Sequence, residues 1–412
     1  MRSRSPLAAI FLVVLVDVLG LTIMLPLLPL YAERFGASAF VASLLMTSYA
    51  FCSLISGPIL GAVSDKTGRR PLLAVSQVGT LAGFILLALA PSLFWVFVAR
   101  VIDGLTAGNL SLAQAYISDV TKPEERAKSF ALIGIAFGVG FFLGPWVSGY
   151  LAHFDMRYPI VLAAGLSALS ILATLFLLPS VDPKGAPAAG EPAGRRVSIF
   201  NLGSYLKYFE RPGLGRLLLQ FLAFGLAFTT FTSGFALFAE RRLTYDGHPF
   251  TSREIGWLYA YSGLIGIVIQ GGLIGWLVKR LGESRLVRIS WVFSVVGYAL
   301  VALPRQLGGM LGVGTLVTLG HSSCRPTLTS QISQCAGPRE QGVVLGLTQS
   351  LNAIAQTLSP ILGGLLIDRG LLTAWALTAS AFAAVGLFLS FTTRPASPAP
   401  ARAPAAPIMP PA

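Results

Sequence analysis

Five ionisable residues stand inside long apolar segments of this sequence. Asp17 interrupts the run V-L-V-D-V-L-G, Arg100 and Asp103 are three residues apart, and His321 and Arg325 are four apart. Ionisable side chains are costly at membrane depth, so they normally pair or serve a function there. A carboxylate can take up and release a proton, and an unpaired cation can attract an anion. The set therefore predicts proton coupling through Asp17, Arg100 and Asp103, and ligand binding near His321 and Arg325.

Each of these residues also has a simpler interpretation. Asp17 can be a buried neutral acid or a carboxylate tied to a neighbouring helix. Arg100 and Asp103 share one helical face and can form a local ion pair. His321 can be a satisfied packing residue, whereas Arg325 has no acid within reach on its own helix.

Two further segments carry one type of side chain at helical spacing. One is an aromatic seam that includes Phe224, Phe228 and Phe231, and either helix packing or a ligand site would produce it. The other is a polar seam of Gln349, Asn352 and Gln356, continued by Ser359. Polar groups avoid lipid, so the second seam should face the interior. We take these six residues, with His321 and Arg325, as candidate cavity residues.

Composition identifies the solvent in which these residues act. Hydrophobic residues make up 54% of the 412-residue chain, charged residues 11%, and the mean hydropathy is +0.73. A soluble globular domain would have about a quarter of its residues charged. Apolar runs close to the roughly 20 residues of a membrane-spanning helix recur along the chain. We therefore predict an all-α integral membrane protein whose twelve spans are 6–31, 39–64, 72–90, 94–119, 127–152, 157–179, 214–239, 251–279, 284–303, 307–333, 340–366 and 372–392.

The net charge of +13 has a topological explanation. Most of the 30 Lys and Arg residues fall in one alternating set of loops and tails. Cytoplasmic loops of membrane proteins are rich in Lys and Arg. We therefore expect a protein of the cell membrane whose two termini are both in the cytoplasm. The bilayer, and no nucleic acid, is then the expected partner. Cys52, Cys324 and Cys335 show no pairing or metal-binding pattern, and we expect no metal or other cofactor.

The twelve spans divide into two sets of six. Residues 1–179 form the first predicted bundle, 180–213 a flexible cytoplasmic linker, 214–393 the second bundle, and 394–412 a disordered tail rich in Pro and Ala. A weak internal repeat supports pseudo-symmetry between the bundles. Gly68 recurs as Gly282, and the acid of the first copy, Asp65, becomes Lys279. Such repeats are typical of transporters with two matching halves.

A second repeat ends spans 1 and 7. L-Y-A-E-R at 30–34 returns as L-F-A-E-R at 237–241.

The turn between spans 2 and 3 reads G-A-V-S-D-K-T-G-R-R-P. An ordinary basic cytoplasmic loop would explain the charge of this turn. Its order of glycine, acid and paired arginines is more specific than such a loop requires, and it indicates a function. We expect a cytoplasmic gate in which Asp65 docks near Gly342 at the start of span 11 and Arg69 pairs with Asp119. Its residues are Gly61, Asp65, Gly68, Arg69, Arg70 and Asp119.

Glycine and proline in spans 5 and 11 predict close helix packing and a bend. The residues expected at this hinge are Gly138, Gly144, Pro145, Gly149 and Pro360.

These motifs together resemble the drug–proton antiporters of the major facilitator superfamily, and most of all the tetracycline-efflux branch. The resemblance covers most of the chain, and it rests on Asp17 with Leu25-Pro26 and Leu28-Pro29, the turn from Gly61 to Pro71, Arg100 with Gly104 and Gly108, Ala115 to Asp119 with Arg126-Ala127, the span 5 glycines, and Gln341-Gly342 with Gln349-Ser350. It implies alternating access by two halves, with spans 1, 4, 7 and 10 lining a cavity. The tetracycline pumps carry further acids in spans 3 and 9, which this chain lacks, so tetracycline is not the expected substrate.

The sequence thus predicts a monomeric secondary transporter that exports a lipophilic organic compound in exchange for protons. A carrier for an anionic metabolite is the alternative favoured by Arg100 and Arg325. A non-transporting receptor or assembly factor on the same fold is a third possibility. An enzyme is not expected, because no nucleotide-binding loop, metal-ligand spacing or nucleophile–base arrangement is found.

Overall fold

The computed structural model of the chain describes residues 6–121, 126–179, 202–211, 213–335 and 341–392. Within these ranges the structure is helical apart from one hairpin, in which β1 (Thr244–Tyr245) pairs with β2 (His248–Pro249). Helices dominate because a segment surrounded by lipid must satisfy its own backbone hydrogen bonds. The predicted all-α class is confirmed.

The described part of the first half contains seven helices. They are α1 (Pro6–Glu33), α2 (Ala39–Thr67), α3 (Arg69–Ala88), α4 (Leu93–Leu105), α5 (Asn109–Val120), α6 (Arg126–Ala152) and α7 (Arg157–Leu177). Predicted span 4 corresponds to α4 and α5 together, and the other five spans to one helix each.

The second half follows a short connecting helix, α8 (Leu202–Glu210). Its helices are α9 (Leu214–Arg242), α10 (Ser252–Val268), α11 (Ile274–Leu281), α12 (Glu283–Leu300), α13 (Leu307–Cys335), α14 (Gln341–Asp368) and α15 (Leu372–Thr392). A π-helical turn, Ile269–Leu273, joins α10 to α11, so these two elements form span 8.

Ten helical stretches of the described residues are long and apolar enough to cross a membrane. The other two predicted spans, α12 and α13, are more polar. Glu283, Arg285 and Arg288 lie in the first two turns of α12, and α13 contains His321 and Arg325. With these two helices included, the described residues form twelve long helical segments.

The predicted flexible linker is wrong for residues 202–210, which form α8. A helix forms here because apolar contacts hold it. Tyr208 is buried, and Gly215 at the start of α9 allows close contact with the backbone of Phe209. Residues 180–201 and the predicted tail at 394–412 lie outside the described residues.

The bundle has two ends, which we name by their residues. The Asp65 side holds the turn between α2 and α3, and the Glu33 side is where α1 ends. On the Glu33 side the two halves are in close contact. Thr47 of α2 donates a 3.0 Å hydrogen bond to the backbone oxygen of Thr357 in α14, and Arg241 Nη2 lies 2.8 Å from Glu33 Oε1.

The same interface is open on the Asp65 side. Gly61 is 18 residues after Ser43 (61 − 43), about five turns, so both lie on one face of α2. A Cβ atom added at Gly364 of α14 would overlap Ser43, whereas one added at Gly61 would have no described atom within 4 Å. Gly134 of α6 and Gly346 of α14 have equally open surroundings. The space between the halves therefore opens toward the Asp65 side.

Candidate functional site

Asp17 lies near the middle of α1 and is partly exposed. Its Oδ2 atom is 3.5 Å from Nε2 of Gln77 in α3, and the same nitrogen donates to Oγ of Ser170 in α7 at 2.7 Å. Ser170 in turn lies 3.4 Å from the backbone oxygen of Val13, one turn before Asp17. Among the described residues Asp17 has no ion-pair partner. It is a carboxyl group held by neutral side chains from two neighbouring helices.

Arg100 and Asp103 form the local ion pair that their spacing permits. Arg100 Nη2 lies 2.9 Å from Asp103 Oδ2, and both side chains are buried. The guanidinium lies 5.6 Å from the ring centroid of Tyr49 and 5.9 Å from that of Phe84. Because the pair neutralises itself, it leaves Asp17 without a compensating cation in the described part of the first half.

Span 4 is interrupted beside this pair, so residues 94–119 are not the single continuous helix that the sequence predicts. The helix stops before Thr106 and resumes after Gly108. Ser76 of α3 supplies the missing hydrogen bonds, because its hydroxyl accepts from the Gly108 amide at 3.0 Å and donates to the Thr106 carbonyl. Broken backbone is tolerated at membrane depth only where protein or an internal cavity satisfies it. The span that carries the ion pair is therefore irregular at its centre.

The phenylalanines of α9 fall into two groups. Phe224 is buried and stacks on Phe228 with ring centroids 5.7 Å apart, while Phe228 is partly exposed and lies 5.2 Å from the His321 ring. The other four have ring contacts with aromatic residues of the second half: Phe221, Phe231, Phe235 and Phe238. Phe228 is thus the member of the seam placed beside α13 with an accessible face.

Arg325 lies one turn after His321 on α13 and is partly exposed. Its backbone oxygen accepts a 2.9 Å hydrogen bond from Thr329. Its guanidinium forms no ion pair or hydrogen bond with a described residue. Arg325 is therefore an uncompensated cation next to the Phe228–His321 contact.

The polar seam of α14 is turned away from lipid. Leu358 is 54% exposed, and at about 100° per residue Gln349 and Gln356 lie about 180° and 200° from it. Both glutamines are exposed, on the face opposite to that leucine. Asn352 is partly exposed, and the next seam residue, Ser359, donates to the Leu226 carbonyl of α9 at 3.2 Å. The exposed amides accordingly border an interior space.

Arg69 organises the turn on the Asp65 side. Its Nη2 atom is 2.5 Å from Asp65 Oδ1, and its Nε atom is 2.9 Å from Asp119 Oδ2, the partner expected from the sequence. The guanidinium also donates to Ser64 Oγ and, at 3.3 Å, to the Gly61 carbonyl. Asp65 is thus paired within its own half in this open conformation.

Arg70 has a different environment from Arg69. It donates to the backbone oxygens of Thr174, at 3.2 Å, and of Leu175. Carbonyl groups in the last turn of a helix lack intrahelical partners, and a cation satisfies them well. Arg70 therefore attaches α3 to the end of α7 in the first half.

The glycines of α6 make contacts in two directions. A Cβ atom at Gly144 would overlap Thr22 of α1, in the same half. A Cβ atom at Gly149 would lie 2.5 Å from the Ser252 carbonyl of α10, and one at Gly138 would lie 3.3 Å from Ile267. Close approach at these positions joins α6 both to its own bundle and to the other half.

Gly363, three residues after Pro360 in α14, is in close contact with α15. Pro360 is buried, and a Cβ atom at Gly363 would lie 3.3 Å from Nε1 of Trp375.

We did not predict Gln77 and Ser170, although both are buried beside Asp17. Two weak signals of these contacts were present in the sequence. Gln77 is a lone amide in span 3, and Ser167 and Ser170 lie three residues apart in span 6. Neither pattern indicates a partner without the three-dimensional packing of α1, α3 and α7.

Comparison with known proteins finds relatives that match most of the chain. Multidrug resistance protein 2 of Bacillus subtilis (strain 168) is 25% identical over 379 residues, which cover 89% of this chain and 91% of that protein. The class E tetracycline resistance protein of Escherichia coli is 28% identical over 362 residues, 87% of each chain.

A crystal structure of the human organic anion transporter MFSD10 (TETRAN) superposes with a TM-score of 0.71 at 24% identity, covering 95% of this chain and all of that one. At that level of identity the likeness concerns the fold. The model of the Major Facilitator Superfamily matches residues 10–360 and, in a second alignment, residues 251–410. Since this match extends over most of the sequence, the chain belongs to the Major Facilitator Superfamily.

Proposed function

We propose that this protein is a proton-coupled antiporter that exports a lipophilic organic compound by alternating access. The observation that carries the proposal is Asp17, an acid at mid-membrane that lacks a described cation partner. An ionised carboxylate there is costly, and binding a proton removes the cost. The multidrug and tetracycline resistance proteins named above support the same class of activity.

The conformation supports an exchange cycle. The halves meet on the Glu33 side and separate on the Asp65 side, which is one of the two arrangements that alternating access requires. We assign the Asp65 side to the cytoplasm on the charge distribution of the loops, in a monomer embedded in the cell membrane. This conformation would then receive the compound from the cytoplasm.

In the proposed cycle, Asp17 releases its proton to the cytoplasmic opening when the compound binds. Gln77 Nε2 and the Ser170 hydroxyl can donate to the ionised carboxylate, so they stabilise it while it lacks its proton. After the halves rock to open the Glu33 side, the compound leaves and Asp17 takes a proton from outside. A protonated Asp17 carries no charge at mid-membrane, and its neutral form permits the return.

A carrier for organic anions is the second candidate. Arg325, which has no described partner, would attract an anionic group, and the neighbouring Phe228 ring would contact an apolar part of the same molecule. The description of MFSD10 as an organic anion transporter supports this candidate.

The test is a flux screen in proteoliposomes with neutral, anionic and cationic lipophiles, each measured with and without a pH gradient. Export of a neutral or weakly charged lipophile that is driven by the gradient, and abolished by a protonophore, is expected. Gradient-independent transport of anions alone would favour the second candidate, and no transport of any compound would contradict both.

A further inference from the structure

The proposed cycle does not use the duplicated sequence that ends α1 and α9. Its copies, L-Y-A-E-R at 30–34 and L-F-A-E-R at 237–241, belong to different halves. The structure brings them together on the Glu33 side. Arg241 Nη2 lies 2.8 Å from Glu33 Oε1, and Arg241 Nη1 donates to the Ile367 carbonyl of α14 at 3.1 Å. One arginine of the second copy therefore binds an acid of the first copy.

Glu240, the second-copy counterpart of Glu33, joins the same contact. Its carboxyl group lies within hydrogen-bonding reach of the Glu33 carboxyl group. Two carboxylates at such a separation repel each other, and they form a hydrogen bond only when one of them holds a proton. Two acids and one arginine have a net charge of −1, and one shared proton brings the cluster to zero. The geometry of the closed Glu33 side thus favours binding of a proton.

The cluster has access to water from the Glu33 side. Glu240 lines a cavity of about 640 Å³ together with His153, which follows the end of α6, and His248 of β2. Arg253 and Glu254 of α10 also line it, with Glu254 held by the Thr251 amide at 2.8 Å.

The first-copy arginine, Arg34, is half-exposed and has a distant contact, 3.9 Å, with Asp155. It is therefore equivalent to Arg241 in the repeat but lies outside the ion pair between the halves.

We propose that Glu33 and Glu240 form a second proton-binding site, completed when the two halves meet on the Glu33 side. Because opening separates the two carboxyl groups, a proton bound between them stabilises the closed conformation. The site extends the proposed proton-coupled function and acts separately from Asp17. It gives external protons a direct means of closing the side from which they enter.

The experiment measures conformation, so that it does not depend on transport. Spin labels at Phe154→Cys and Leu371→Cys, both exposed on the Glu33 side of opposite halves, report their separation by pulsed electron resonance. The parent protein has Cys52, Cys324 and Cys335 replaced and carries Asp17→Asn. When the pH is raised from about 5 to about 9, the shared proton should be lost. The fraction of molecules with a long distance between the two labels, which are those open on the Glu33 side, should then increase several-fold.

Glu240→Gln keeps a hydrogen bond to Glu33 without needing a proton, so it should hold the short distance throughout this pH range. Arg34→Gln, at the equivalent position of the first copy, should respond to pH like the parent protein. Arg241→Gln, which removes the neutralising cation, should open the Glu33 side at lower pH than the parent does. An unchanged pH response in Glu240→Gln, or a parent distance that does not respond to pH, would overturn the second site. Neither result would bear on proton coupling through Asp17.

Discussion

Gly68 and Gly282 end equivalent helices with nearly the same backbone conformation. Their φ and ψ angles are 95° and 148°, and 76° and 152°, and each amide bonds to the carbonyl four residues earlier, at 3.0 Å and 2.9 Å. The residue three positions before each glycine differs, Asp65 in one half and Lys279 in the other. Both halves therefore keep the turn, and only the first keeps the acid.

The first prediction concerns this turn. A Cβ atom at Gly68 would come no closer than 3.5 Å to a described side chain, so the cost of Gly68→Ala arises from the backbone. A side chain in this region of φ and ψ costs about 1–3 kcal/mol. Thermal unfolding in detergent should show a lower midpoint for Gly68→Ala and for Gly282→Ala. Gly275→Ala, in helical backbone with open surroundings, is the control, and an equal loss there would argue against a backbone cause.

The second prediction concerns coupling through Asp17. Asp17→Asn keeps the polar contacts with Gln77 and Ser170 and removes the ionisable group. Gradient-driven flux should fall at least about tenfold if the carboxyl group carries the proton, in keeping with the size of typical proton-transfer contributions. Folding and compound binding, measured by size-exclusion chromatography and fluorescence titration, should persist.

Ser167→Ala is a matched control for this variant, because the Ser167 hydroxyl bonds, among the described residues, only the backbone oxygen of Gln77, at 3.3 Å. Its response to the pH gradient should remain. Full gradient-driven transport by Asp17→Asn would exclude Asp17 as an obligatory carrier.

Much of the fold could be predicted because lipid imposes simple rules on sequence. Apolar length located the spans, and the Gly68 turn marked the start of α3. The interruption at Thr106–Gly108 could not be predicted, since the hydrogen bonds that replace those of the helix come from Ser76, on a different helix. The repeat predicted matching halves, and the contact between its copies at Glu33 and Arg241 required their packing.

The sequence predicted which residue types belong to the candidate site better than it predicted which side chains contact each other. Asp17 and Arg325 were conspicuous as charges within apolar runs. Gln77 was inconspicuous, because one amide in a span has many packing explanations. The phenylalanine spacing on α9 was equally compatible with packing and with binding, and only burial distinguishes Phe224 from Phe228.

The third prediction concerns the gate on the Asp65 side. In this open conformation Asp65 pairs with Arg69, and we expect it to dock at the start of α14 when that side closes, where helix amides favour an anion. Asp65→Asn should shift the population toward the open conformation. A single cysteine at Gln349, on the interior face of α14, should then react faster with a thiol reagent added from the Asp65 side.

Lys66→Gln is the control for the gate, because Lys66 is an exposed charge in the same turn. Stability should change little in Asp65→Asn, because a partly exposed ion pair contributes about 0–1 kcal/mol. Unchanged labelling in Asp65→Asn would reject the docking of Asp65.

The last prediction concerns the compounds that the cavity accepts. Asp17, Asp103, Arg100 and Arg325 sum to zero when both acids are ionised and to +1 when Asp17 holds a proton. Arg100 is occupied by Asp103, so Arg325 is the cation available to a ligand. Such a site should prefer neutral, zwitterionic or weakly anionic lipophiles to dications.

Three variants test the apolar and charged parts of this preference. Phe228→Ala should weaken binding of all lipophiles by up to about 1.5–3 kcal/mol, because its ring has an accessible face. Arg325→Ala should weaken the anionic compounds selectively. Phe224→Ala should also weaken binding, through lost support for Phe228, and should cost stability of about 3–5 kcal/mol because the ring is buried. Fluorescence titration measures the loss of binding, and thermal unfolding measures the loss of stability. The assignment of the site would be contradicted by a transport screen in which permanent dications are the best substrates and none of the three substitutions affects their transport.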